Sequence, residues 1–250
     1  MTTTAPFAIV AALSLGADPL ADLKTTLDSL VATTPITAHF THHFEQHHGE
    51  GKEASVVKGD VAGEVTETPA GLDERWGPEV LQRAREEGRR RAADPEAGTP
   101  TQDGIRELDA FNLSRQLDAA AELREALGYA TLVEDRTEPL DGTPARVLVV
   151  KLAPPLRARD KKYVKELEAT AKIWLGPDGV PLAAERRVKA SGRAFLVISF
   201  ENEEHESFRF AHVGDRLVVV RHEIDRHGHG AGERNARKSL TSLEVRPAAP

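Results

Sequence analysis

The sequence predicts an α+β protein built on a curved antiparallel sheet, a half-barrel of about ten strands, with an N-terminal helix and one or two helices covering its concave face. Three observations lead there. From Glu168 to Val245 short alternating runs are separated by tight-turn residues, Pro177-Asp178-Gly179 and Gly214-Asp215 among them, so that sequence neighbours become sheet neighbours. A leucine-patterned helix and a long hairpin precede this run. A second stripe, Leu113, Leu117, Ala120, Leu123 and Leu127, recurs at helical spacing in mid-chain and offers an apolar face to the sheet.

The elements follow in order. Residues 1–17 are expected to be an export signal: Ala5 to Leu15 is apolar, and Ser14 and Gly16 place small residues before a cut at Ala17, although no Lys or Arg stands ahead of them. A single domain then spans 18–250. Asp18-Pro19 opens a helix from Leu20 to Val31, ended by Thr33-Thr34-Pro35. Ile36 to His48 alternates as a strand and turns back into a second from Lys52 to Thr66. Residues 77–104 read as a charged insertion. Pro78 starts a helix to Ala92 with only Val80, Leu81 and Ala84 to bury, which predicts a solvated surface helix, and Asp94 to Gly104 is a polar loop.

One continuous helix from Leu113 to Leu127 follows, stopped by Gly128. Tyr129 to Glu134 and Ala145 to Leu152 make a hairpin about Asp141-Gly142, and Pro154 to Tyr163 is a basic excursion. Ala169 to Leu175 and Val180 to Ala190 come next, the latter closed by Ser191-Gly192-Arg193. Ala194 to Phe200 is expected to pair with Ser207 to Val213 across an acidic loop, before Arg216 to Glu223, a Gly-rich polar loop and Lys238 to Val245.

Composition narrows the function. An apolar share of 40% over 250 residues is enough for a packed core. The net charge of −7 and 5% aromatic content exclude an ordinary nucleic-acid binder, which presents a basic patch to phosphates. The absence of cysteine excludes disulfides, thiolate catalysis and an N-terminal lipid-modified Cys. No apolar stretch reaches the roughly 20 residues that span a bilayer. Gly-x-Ser-x-Gly, Walker, dinucleotide and His-Glu-x-x-His motifs are all missing, so the common enzyme classes lose support.

The large apolar side chains Phe40, Phe44, Trp76, Leu113, Leu117, Trp174, Phe195, Phe208 and Phe210 are candidate walls of an apolar ligand cavity between the sheet and the mid-chain helix, and equally serve as plain core. No catalytic residue is assigned, because Glu201, Glu203, Glu204 and Glu206 read as a solvated acidic loop. An alternative is metal binding through His43, Glu45 and His47, which share one face of the first strand. Residues four apart on a strand lie about 13 Å from each other, so only near pairs could meet one ion and a further ligand must come from elsewhere. Another alternative is a cell-envelope protein partner docking on the charged segment Glu79 to Arg91.

The order of these elements resembles the LolA-like superfamily of periplasmic lipoprotein carriers. The resemblance rests on the export signal, the Leu-rich helix, the strand opening Ile36-Thr37-Ala38-His39-Phe40, the segment Asp141-Gly142-Thr143-Pro144-Ala145-Arg146-Val147, and Lys172-Ile173-Trp174-Leu175 before Pro177-Asp178-Gly179-Val180-Pro181-Leu182. It implies a half-barrel closed by helices, a cavity for acyl chains, no cofactor, and a lipid or lipid-modified protein as partner in the periplasm or outside the cell.

Overall fold

The computed structural model describes residues 18–49, 54–194, 198–230 and 233–246. The expected export signal at 1–17 and the candidate Phe195 lie outside the described residues.

Helix α1 (Pro19–Asp28) begins where the Asp18 carboxylate accepts the Leu20 amide at 3.0 Å, and it buries Leu20, Leu23 and Leu27. It ends before Val31, which is exposed. Strands β1 (Ile36–His48) and β2 (Ser55–Thr68) form the first hairpin, extended by β3 (Gly71–Trp76), a strand the sequence pattern did not reveal. Helices α2 (Pro78–Ala93), α3 (Pro100–Glu107), α4 (Ala110–Leu117) and α5 (Ala119–Ala126) follow. The rest of the chain is β4 (Ala130–Leu140), β5 (Thr143–Leu152), the short α6 (Ala158–Lys161), β6 (Val164–Leu175), β7 (Pro181–Ala194), β8 (Ile198–Val213), β9 (Arg216–Gly230) and β10 (Glu233–Arg246).

The strands form one open, antiparallel, ten-stranded sheet in the order β3-β2-β1-β10-β9-β8-β7-β6-β5-β4. Every neighbouring pair except β1 and β10 is consecutive among the strands, so the stretch from α2 to α5 must carry the chain from one sheet edge to the other. That crossover lays α3 against β2 and β1, α4 against β9, β3 and β2, and α5 against β9 and α1. A buried ionic tie holds α4 in place. Ser114 donates to Glu67 at 2.7 Å, and Arg216, only 2% exposed, pairs with Glu67 and donates to the Thr34 carbonyl at 2.9 Å.

Two large apolar clusters and a smaller one, Val147, Trp174 and Ala183, result among the described residues. Of the two large ones, one joins the α1 leucines to Ala119, Ala120, Leu127, Leu148, Ile173 and Leu217, and the other joins Phe40, Val61, Val65, Leu113, Leu117 and Leu243. The Asp141-Gly142 hairpin forms as expected, both residues taking positive φ, 52° and 83°.

Several expectations are corrected. The mid-chain helix breaks at Asp118 (φ −132°, ψ 71°), while its leucine stripe continues across the break and so hides it from periodicity. The loop to Gly104 already contains α3, because the buried Glu87 of α2 accepts the Thr101 and Gln102 amides at 2.9 and 3.0 Å and satisfies its first turn. The acidic segment is not a hairpin loop but the middle of β8. Opposite charges on both neighbouring strands make it a strand: Arg186 donates to Glu204 at 3.1 Å and Glu206 at 2.7 Å, Lys189 meets Glu203 at 3.2 Å, and Arg226 meets Glu204. Gly192 is not a turn but a close approach within β7, where a Cβ would sit 2.0 Å from the Tyr163 carbonyl oxygen. The Gly-rich loop after Glu223 is likewise strand, since β9 runs to Gly230 and pairs with β10 from Glu233.

Candidate functional site

A cavity of about 840 Å³ lies between the crossover helices and the sheet. One side is apolar. Leu123, Ala126 and Leu127 of α5 and the turn after it face Val150 and Leu152 of β5 and Ala171 and Ile173 of β6. Phe208 and Phe210 continue this wall along β8, with Val219 beside them on β9. Phe208 stacks on His222, ring centroids 4.4 Å apart and 15° from parallel, and lies parallel to Phe210 at 6.2 Å.

A polar waist interrupts the apolar wall. Glu206, on the same face of β8 as Phe208 and Phe210, is 7% exposed and bonded to Arg186 at 2.7 Å, with His222 Nε2 at 3.8 Å. Burial pushes the Glu206 carboxyl up, but the adjacent His222 and the Arg186 guanidinium outweigh it and lower it to about 2. Three buried polar atoms of cavity-lining residues have no hydrogen-bond partner among the described residues: Gln116 Oε1, Arg186 Nε and His222 Nε2. Buried polar groups are normally satisfied, so these mark where a polar part of a ligand would gain most.

At the other side α3 is tied down. His42, 3% exposed, meets Thr241 through Nδ1 at 2.9 Å and Glu107 through Nε2 at 3.1 Å. Arg237 pairs with the same Glu107, donates to Gln46 at 2.9 Å, and lies over the Phe44 ring at 4.7 Å. The cavity shares Asn202, Gly228, His229, Asn235 and Ala236 with a polar groove of about 760 Å³ at the far ends of the strands.

Of the residues singled out in the sequence, Phe208 and Phe210 line this cavity. Phe40, Phe44, Trp76, Leu113, Leu117 and Trp174 do not. Phe40 is fully buried, edge-on to Trp76 at 5.0 Å, beneath the leucines of α4. Phe44 lies behind Arg237, against Gly59 and Gly104. Trp174 is turned away by strand alternation: Ala171 and Ile173 face the cavity, whereas Trp174 packs with Val147 and Ala183 on the other side of β6. Of the metal candidates, Glu45 and His47 meet each other while His43 pairs elsewhere. His43 pairs with Asp60, while Glu45 accepts from His47 at 2.7 Å and Lys58 at 2.8 Å, on the partly exposed face shared by β1 and β2. No group of three or more His, Cys, Asp or Glu among the described residues is placed to hold a metal ion.

Sequence reasoning missed Gln116 and the Arg186–Glu206 pair. Both left a signal: Gln116 is a polar residue beside Leu113 and Leu117 on an apolar stripe, and Glu206 has the parity of Phe208 and Phe210.

No protein-family model and no curated protein matches the chain. Among solved structures, a DUF1329 family protein from Desulfovibrio piger aligns over 94% of this chain and 96% of its own, at 11% identity and a TM-score of 0.30. A likeness at that score carries no inference about function.

Proposed function

We propose that this chain is a non-enzymatic binding protein that takes an apolar ligand, a lipid, an acyl chain or the acyl part of a lipid-modified protein, into the cavity between the crossover helices and the sheet. The sheet acts as the half-barrel of a LolA-like carrier, with α4 and α5 over its concave side, and the protein works after export, in the periplasm or outside the cell. The single observation carrying this is the wall itself: about 840 Å³ lined on one side by Leu, Val, Ile and Phe side chains, a size usual for small-ligand sites. About ten buried methylenes would contribute about 8 kcal/mol, enough to offset much of the cost of association without any catalytic motif. Among the described residues no helix is long and apolar enough to cross a membrane.

An apolar fluorescent probe that brightens on leaving water tests this. Wild-type protein should bind it saturably. Ala171→Trp, which places an indole in the cavity from a half-buried wall position, should weaken binding by about tenfold or more, the loss of about 1.4 kcal/mol, with the circular dichroism spectrum unchanged. Equal probe binding by both proteins would remove the cavity from the account.

A further inference from the structure

The charge arrangement of the cavity narrows the ligand further, on the premise that the cavity is the binding site. Each arginine that lines it is already paired with a carboxylate: Arg115 with Glu122, Arg186 with Glu206, Arg226 with Glu204, and Arg237 with Glu107. No lysine lines it. Of the histidines, His42 is held on both ring nitrogens by Thr241 and Glu107, and His229 stands 3.9 Å from Glu201. An anionic head group entering this space would have to share a guanidinium with a glutamate already bonded to it, in a region where like charges are weakly screened. A cationic head would compete with an arginine for Glu107, Glu122 or Glu206, while the remaining lining carboxylate, Glu185, stands 39% exposed beside His205 at 3.9 Å, where water screens it.

The unpartnered atoms ask for something else. Arg186 Nε is a donor that needs an acceptor oxygen, Gln116 Oε1 is an acceptor that needs an O–H or N–H, and His222 Nε2 stands 3.8 Å from Glu206, beyond hydrogen-bond distance. Gln116 is 9% exposed, on the helix lying against β9, the strand of His222. A hydroxyl, a secondary amide, or an ester that carries a hydroxyl both accepts and donates, and so meets these demands without disturbing any ion pair. The apolar side chains Leu123, Val150 and Ile173 take the chain attached to it.

We propose that the cavity selects amphiphiles whose head is uncharged, an acyl chain joined to a neutral hydroxyl, secondary amide or hydroxyl-bearing ester group, with that group seated at Gln116, Arg186 and His222. The same chemistry is carried by a free neutral glycerolipid and by an acylated peptide.

The test is displacement of the fluorescent probe, at about pH 8 and below micelle-forming concentrations, by monopalmitoylglycerol, palmitate, hexadecyltrimethylammonium and a palmitoylated peptide with blocked, uncharged ends. The neutral glycerolipid, the neutral lipopeptide or both should displace the probe at about tenfold lower concentration than either charged amphiphile. The better of the two neutral compounds identifies the source. Glu206→Gln, which frees Arg186 from its closest carboxylate, should bring palmitate to within about threefold of monopalmitoylglycerol. Gln116→Leu is the second variant, should Glu206→Gln not fold, and should narrow the neutral-over-anionic ratio by about fivefold through loss of the acceptor. Palmitate displacing the wild-type probe as well as the neutral compounds would overturn the selectivity while leaving the cavity as a binding site. Failure of the probe itself to bind would overturn the ligand cavity, and this inference with it.

Discussion

Removing one arginine should expose how much the polar waist costs and what holds it. Glu206 is 7% exposed and its carboxyl is held at about 2 against the upward push of burial, by His222 and Arg186. Arg186→Met leaves that carboxylate buried with His222 as its nearest partner, and strips Glu204 of one of its two guanidinium contacts. Losing one member of a fully buried pair costs about 3–5 kcal/mol, but the Arg186 side chain is 42% exposed and water can reach part of the gap, so about 2–3 kcal/mol is expected at neutral pH. For a chain of this size that lowers Tm by about 4–12 °C.

The pH dependence has a definite sign. In the wild type the Glu206 carboxyl lies below its unfolded value of 4.5, so its contribution is fully present above 4.5 and is lost as pH falls through about 2. In Arg186→Met the carboxyl keeps His222 but loses the Arg186 contribution and moves up from its wild-type position, so the destabilisation is greatest at neutral pH and shrinks as acid neutralises the stranded carboxylate. Urea unfolding followed by circular dichroism at about pH 7, 5 and 3 measures this directly. Arg186→Met/Glu206→Leu, which removes both charges, should recover most of the loss. A penalty under about 0.5 kcal/mol, or one that grows on acidification, would refute the assignment of Arg186, beside His222, to keeping Glu206 charged.

Other changes separate packing from binding. Phe40→Ala opens a void under Trp76 and should cost about 3–5 kcal/mol, seen as a large fall in Tm, and probe affinity measured well below the new Tm should stay within about twofold because Phe40 does not line the cavity. Gly192→Ala drives a methyl into the Tyr163 carbonyl and should destabilise by about 1–3 kcal/mol, read by the urea midpoint. Asp215 accepts from the Thr33 amide at 2.8 Å and hydroxyl at 2.5 Å and from the Thr34 amide at 3.0 Å, and these bonds hold its carboxyl far below the usual range. Asp215→Ala should speed hydrogen exchange at both threonine amides. In the wild type that protection should persist as pH falls below 3.8, the unfolded value, and disappear only in much stronger acid.

Much of the sheet was legible because its turns are written in local chemistry: Asp141-Gly142 and Gly214-Asp215 fix hairpins whatever the rest of the chain does. The strand through Glu201 to Glu206 was not legible, since a run of carboxylates becomes a strand only when Arg186, Lys189 and Arg226 stand opposite, a pairing set by register. Strand alternation separates Ile173 from Trp174, yet which side is a cavity and which is core depends on the path of the crossover, a tertiary fact. Large aromatics are poor guides for the same reason: Phe40 and Trp174 fill closed space, whereas open space here is lined by mid-sized aliphatic residues and by Phe208 and Phe210.

The central claim, that the cavity holds an acyl-bearing ligand, is met most directly by native mass spectrometry of untagged protein purified gently from an exported preparation. A set of added masses spaced by methylene units, lost in Ala171→Trp, is the expected result. A single bare-protein mass in the wild type, unchanged after incubation with lipid extract, would contradict it.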